Sequence, residues 1–284
     1  MSEIIDGKRV SQDTRAEISQ RVKELKNNKG VIPGLAAVLV GEDPASEIYV
    51  RNKRKACEDC GMYSEEHRLS IATTEEELLL LVEKLNNDPK IHGILVQLPL
   101  PEQINDTNIL RAVSPMKDVD GFHPENVGRL VEGNPRFVSC TPFGIIKMLD
   151  YYNLEIKGME AVVIGRSNIV GKPVSLLLLH RHATVTICHS RTRDLKEVAK
   201  RADILVAAIG RAKFVTEDMV KDGAVVIDVG INRNDEGKLV GDVDFENVSK
   251  KTSYITPVPG GVGPMTITML LWNTLESAKM GISV

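Results

Sequence analysis

Residues 161–173 read AVVIGRSNIVGKP, and this run decides the fold. A short apolar, β-branched stretch from Ala161 to Ile164 ends in Gly165, crosses a polar turn, and enters a helix opened by Gly171-Lys172-Pro173. Strand, tight turn and helix N-terminus in that order present main-chain N–H groups to a phosphate. The G-x-G-x-x-G spacing is imperfect, because Ser167 stands at the second glycine and the last is displaced to Gly171. By itself the run fits a dinucleotide loop or a plain structural turn.

Outward from it the texture repeats. A helix from about Lys172 is followed by the strand ATVTICH (183–189), a short helix, then ILVAAIG (204–210) and AVVIDVG (224–230), and the helix FGIIKMLDYY (143–152) precedes the array. The first half alternates in the same way. Ser11 to Lys29 reads as an amphipathic helix and LAAVLVG (35–41) as a buried strand. Asp43-Pro44 reads as an N-cap and first-turn proline of a helix running to about Gly61. A polar strand near His67, a helix from Thr74 to about Asn87 and the strand GILVQLP (93–99) complete it. Such alternation predicts an α/β fold with mainly parallel sheets. The passage KDVDGFHPENVGRLVEGNP (117–135) is too long for a simple turn and is read as a functional or connecting segment before the domain crossing. The predicted division is residues 1–140 plus 265–284 in an N-terminal α/β substrate domain and 141–264 in a Rossmann-type domain. The last helix, MTITMLLWNTLESAKM (265–280), returns to the first domain.

Composition narrows the class. With 284 residues, 42% hydrophobic and 26% charged, the chain has material for two cores and is not a disordered one. A net charge of −3 lacks the basic excess of a nucleic-acid binder. The N-terminus MSEIIDGKRVSQDTR has no apolar targeting core and no apolar run is long enough to span a bilayer, so a cytoplasmic protein with no membrane partner is expected. Cys57, Cys60, Cys140 and Cys188 are expected as reduced thiols. No ligand cluster accompanies Cys57 and Cys60, so no metal is expected.

The segment after strand 183–189 bears on the cofactor. Where an NAD-type fold usually carries a carboxylate for the ribose hydroxyls, this chain has His189-Ser190-Arg191-Thr192-Arg193. Ser190 and Arg166 offer a hydroxyl and a guanidinium suited to a ribose phosphate, which favours NADP; a merely solvated arginine rim is the competing reading.

Chemistry is expected in the first half. Tyr49 and Lys53 stand one helical turn apart and share a face. Gln97 ends a strand, where α/β sheets present ligands, and its amide can accept from a lysine while donating elsewhere. Asp118 and Asp120 bracket Val119 and share a side if the stretch is extended, so that one accepts from a heterocycle's N–H groups; an Asx turn is the alternative for Asp120. Residues 257–264, PVPGGVGP, form a stiff, glycine-permissive loop able to bring backbone close to a ligand.

Together and in order, ASEIYVRNKRKACEDCG, GILVQLPLP, KDVDGF, GRSNIVGKP and TPVPGGVGPMT resemble the bifunctional methylenetetrahydrofolate dehydrogenase/methenyltetrahydrofolate cyclohydrolase family over almost the whole chain. The resemblance implies NADP-dependent oxidation of 5,10-methylenetetrahydrofolate to the methenyl cation, then hydrolysis to 10-formyltetrahydrofolate, in the one-carbon metabolism that serves purine biosynthesis. It implies that Lys53 serves the hydrolytic step with Gln97 in support, that Tyr49 lies against the folate and that Asp120 holds the pterin. Gly165, Arg166, Ser167, Ser190 and Ile231 match the family's dinucleotide contacts, Pro259, Gly260 and Gly261 border folate and nicotinamide, and the assembly implied is a homodimer. Hydride loss leaves positive charge, which an ammonium opposes and a neutral amine tolerates. The rivals are a monofunctional dehydrogenase, which the presence of both Lys53 and Gln97 argues against, a catalytically silent dinucleotide-binding regulator, and a Rossmann oxidoreductase for another substrate.

Overall fold

Apolar strands alternate with helices along the chain, and the central strands of the two larger sheets are buried. The computed structural model describes residues 2–42 and 44–281, with side chains described for all of these except 44–48. The first stretch holds β1 (Glu3–Ile4), α1 (Gly7–Lys29), β2 (Gly34–Val40), α2 (Pro44–Asp59), β3 (Tyr63–Leu69), α3 (Glu75–Asn87), β4 (Gly93–Val96), α4 (Asp106–Ala112) and α5 (Pro124–Val131). The second holds α6 (Cys140–Tyr151), β5 (Glu160–Ile164), α7 (Gly171–His180), β6 (Thr184–Cys188), α8 (Leu195–Ala199), β7 (Ile204–Ala207), β8 (Val225–Asp228), β9 (Asn232–Arg233), β10 (Leu239–Val240), α9 (Phe245–Val248), β11 (Tyr254–Ile255) and α10 (Val262–Met280). Asp43, the expected cap of α2, lies outside the described residues.

Two compact units result, one of Asp13–Val138 with Ile267–Val284 and the other of Met1–Gln12 with Ser139–Thr266. In the first, a parallel sheet runs β3-β2-β4. β2 is buried along its whole length, and Ala36, Val38 and Ile94 pack with Leu78, Val82 and Leu85 of α3. The start of α3 is fixed by a capping box, in which the Thr74 hydroxyl accepts from Glu77 N and the Glu77 carboxylate accepts from Thr74 N. As expected, the last helix returns here. Asn273 Nδ2 donates to Val119 O at 2.8 Å and Val138 O at 3.0 Å, and the Ser277 hydroxyl lies between His92 O and Met116 O.

The other unit carries a six-stranded sheet in the order β1-β11-β8-β7-β5-β6, every pair parallel. Its core joins Val162, Ile164, Leu205 and Val226 to Val215, Val220 and Val248. The chain steps from β5 outward to β6, then returns across β5 to β7, creating a switch point at the carboxyl ends of β5 and β7.

Several elements differ from the sequence reading. Residues 1–12 group with the large sheet, because β1 lies beside β11 with Glu3 opposite Tyr254. Within 117–135 there is a helix, α5, capped by the His123 ring, which accepts from Glu125 N at 3.1 Å. The strand expected over 93–99 ends at Val96, since Gln97 N still donates to Val38 O at 2.9 Å but Pro99 has no N–H to continue the ladder. Among the described residues, no helix is long and apolar enough to cross a membrane.

Candidate active site

The small sheet places two reactive side chains in contact. α2 follows β2, and Gln97 follows β4, the neighbour of β2, so both arise at the carboxyl end of the same strand pair. There Lys53 Nζ donates to Gln97 Oε1 at 3.0 Å, while Gln97 Nε2 donates to Leu98 O at 2.7 Å. The two bonds use both ends of the amide, leaving its oxygen turned to the amine. Lys53 and Gln97 are half-buried, and Tyr49, one turn earlier on α2, is exposed at 41%. An amine held by a neutral acceptor can give or take a proton without a second charge beside it.

The two aspartates of KDVDG differ in burial. The stretch turns instead of extending, with Gly121 N donating to Asp118 O at 3.1 Å. Asp118 is buried and accepts from Phe122 N at 3.1 Å, His123 N at 2.8 Å and Asn126 Nδ2 at 2.8 Å. Burial raises its carboxyl above the usual range despite those bonds. Asp118 thus makes Asx-type contacts in this turn, and Asp120 follows it half-buried. Lys117 O accepts from Ile94 N at 2.8 Å, which ties this segment to β4.

In the large-sheet unit, a cavity of about 300 Å³ lies at the switch point, lined by Ile164, Gly165 and Arg166 after β5, His189 and Ser190 after β6, and Ala208, Ile209 and Arg211 after β7, with Leu195 and Phe214. Gly165, Arg166 and Ser190, three of the residues singled out in the sequence, line it together. Gly165 has φ +136°, and a Cβ there would lie 2.2 Å from Ala208 O, so only glycine fits. A Cβ on Gly171 would meet Gly165 O at 2.3 Å, which explains the displaced glycine: it lets α7 pack closely on the strand end.

Ser167 acts differently from the expectation of open amides. Its hydroxyl accepts from Val170 N at 3.1 Å and Gly171 N at 3.2 Å, and its carbonyl accepts from Lys172 N at 3.0 Å. Part of the amide set at the start of α7 is thus satisfied within the loop. Ile231 is 52% exposed and does not line the cavity, and neither do Pro259, Gly260 and Gly261. Gly260 and Gly261 lie against the start of α1, where Lys8 N donates to Gly260 O at 3.2 Å and a Cβ on Gly7 would fall 1.8 Å from Gly261 O. Sequence reasoning missed Arg211, whose guanidinium lies 4.7 Å over the Phe214 ring and lines the cavity. The available signal was its place just after a strand at the switch point. Cys57 and Cys60 are buried free thiols, and burial pushes Cys57 up to about 12, which disfavours a reactive thiolate.

Comparison with known proteins agrees with this layout. Residues 5–120 match the tetrahydrofolate dehydrogenase/cyclohydrolase catalytic domain, and residues 139–282 match the NAD(P)-binding domain of the same family. The bifunctional protein FolD of Pelobacter propionicus is 62% identical over 283 residues, covering 100% of both chains. The crystal structure of the bifunctional methylenetetrahydrofolate dehydrogenase/cyclohydrolase FolD from Campylobacter jejuni is 51% identical with a TM-score of 0.97, over 99% of this chain and 100% of that one. The Trypanosoma brucei enzyme, solved with NADP cofactor and inhibitor, is 40% identical with a TM-score of 0.95, over 100% of this chain and 99% of that one.

Proposed function

The chain belongs to the tetrahydrofolate dehydrogenase/cyclohydrolase family, and from that premise we propose that its two units divide a two-step reaction on tetrahydrofolate. 5,10-Methylenetetrahydrofolate loses a hydride to give the methenyl cation. Water then adds to that cation, a proton leaves, and the C–N bond opens to yield 10-formyltetrahydrofolate. NADP, when bound, accepts the hydride. The cavity at the switch point suits it: a close-approach glycine, Gly165, stands beside the cationic Arg166 and the hydroxyl of Ser190. Ser167 braces the loop, and Ile231 supplies an exposed apolar contact.

Lys53 is the group we assign to the proton of the attacking water. An ammonium has no lone pair to receive it, so the working form is the neutral amine, which the adjacent cationic substrate also favours. Gln97 fixes the amine through the 3.0 Å bond and adds no charge that would penalise the methenyl cation. Tyr49 offers a face for the folate ring, Asp120 an acceptor for pterin N–H groups, and Pro259 to Gly261 a main-chain border. The observation that carries the bifunctional reading is the Lys53–Gln97 hydrogen bond, because hydride transfer needs positioning and hydrolysis needs this base. We further assign the enzyme to the cytoplasm as a homodimer supplying formyl groups for purine biosynthesis.

A single spectrophotometric assay tests the reading. With 5,10-methylenetetrahydrofolate and NADP, the methenyl chromophore is expected to form and then to decay by enzyme-catalysed hydrolysis. No methenyl signal rejects the proposal, and a signal that accumulates without enzymatic decay marks a monofunctional dehydrogenase.

A further inference from the structure

Two buried carboxylates stand behind the cavity. Asp228 ends β8 and Asp242 follows β10; they are 3% and 0% exposed. Asp242 Oδ2 accepts from Ile209 N at 2.7 Å and Gly210 N at 3.0 Å, and its Oδ1 accepts from Arg211 N at 2.8 Å and Asn232 Nδ2 at 2.9 Å. Asp228 accepts in turn from Gly230 N at 2.9 Å, Asp242 N at 2.9 Å and Val243 N at 3.0 Å. The backbone makes room for both acids. A Cβ on Gly230 would fall 2.3 Å from Asp242 Oδ1, and one on Gly241 would fall 1.8 Å from Asp228 Oδ2.

Buried acids of this kind are a poor way to gain stability, since removing a carboxylate from water is costly and apolar packing serves as well. What they fix is more telling. The three amides held by Asp242 are consecutive, and Ile209 and Arg211 line the cavity. Asn232 adjoins Ile231. Asp228 N donates to the Thr256 hydroxyl at 2.7 Å, and Thr256 opens the 257–261 loop. One network thus holds three segments that face ligand in the proposed reaction.

We propose that Asp242, backed by Asp228, is a positioning residue for dinucleotide binding, setting the main chain of 209–211 against the cofactor cavity. The inference rests on the reading of that cavity as the NADP site. Because Asp242 holds the loop and does not itself line the cavity, its loss acts on cofactor affinity and leaves the hydride step intact once the site is filled.

The test is Asp242→Asn in the full-length enzyme, in which an amide NH2 replaces one acceptor and confronts N–H donors. The KM for NADP is expected to rise at least about tenfold, with kcat at saturating NADP within about threefold and hydrolysis of added methenyltetrahydrofolate, which uses no dinucleotide, within about twofold. Arg166→Ala is measured alongside. If it raises the NADP KM while Asp242→Asn does not, the positioning role is overturned and the cavity assignment stands; if neither moves the KM, the cavity assignment itself falls. Should Asp242→Asn fail to fold, Asn232→Ser removes one of the four donors and is expected to raise the NADP KM about threefold; an unchanged KM there overturns the proposal.

Discussion

The two parallel sheets bring function to corresponding places by unlike means. At the small sheet, the candidate chemistry is two side chains, Lys53 on α2 and Gln97 after β4, joined by one hydrogen bond. At the large sheet, the cavity is shaped mostly by main chain: a turn that only Gly165 can make, a helix start set close by Gly171, and a loop whose amides are held by Asp242. A side-chain site should be lost by one truncation with little change in fold. A backbone site should resist most truncations at its rim and yield to changes that shift the chain.

The strongest way to break this contrast is Lys53→Met, which keeps an unbranched stem without the amine. Hydrolysis of methenyltetrahydrofolate is expected to fall roughly 10²–10⁴-fold, the range for losing a general base, with NADP affinity unchanged. Near-normal decay of the methenyl signal would remove Lys53 from its role. Next is Gly165→Ala, whose Cβ has no space beside Ala208 O. Strain of about 1–3 kcal/mol is expected in urea titrations, together with loss of NADP saturation; an unaltered NADP KM would show that the turn does not shape the site. Arg166→Ala sharpens the cofactor side: loss of a charge-assisted phosphate contact predicts roughly a tenfold rise in the NADP KM and a much smaller one for NAD. Equal effects on the two cofactors would exclude a ribose-phosphate contact.

The smallest effect concerns Asp228, whose carboxyl burial raises to about 6 against the opposing pull of its backbone hydrogen bonds. The folded state therefore holds a proton there that the unfolded chain releases at lower pH. The stability this group contributes is fully present below the usual carboxylate range and is lost as pH climbs through about 6. The Tm difference between wild type and Asp228→Asn should shift against wild type by roughly 2–4 °C from pH 4 to pH 7. A difference constant across that range contradicts the assignment of the shift to Asp228.

Legibility in the sequence follows the same division. Long buried strands and amphipathic helices announce themselves by period, so β2, α3, β5 and α10 were expected close to where they lie. Lys53 and Gln97 were legible because side-chain chemistry is written in residue type. Features made by pairing across the chain were not. β1 and β11 have two residues each, too few to show alternation, and exist because they lie beside one another. Asp118 and Asp120 look alike in KDVDG, and only the turn at Gly121 decides which is buried. Asp242 resembles a loop aspartate before a polar segment until the amides of residues 209–211 are seen around it. Arg211 was hidden because its neighbourhood is assembled from three strand ends.

The register of Glu3 opposite Tyr254 also sets a schedule for biosynthesis. β1 has no partner until about 250 further residues have been added, which at about 5–20 residues per second is a wait of roughly 12–50 s. The parallel core of β5, β6, β7 and β8 emerges during that interval and can assemble without β1. Closing the edge of the large sheet is thus expected to be a late event in synthesis, and a nascent chain arrested before residue 254 should leave its N-terminal segment open to protease.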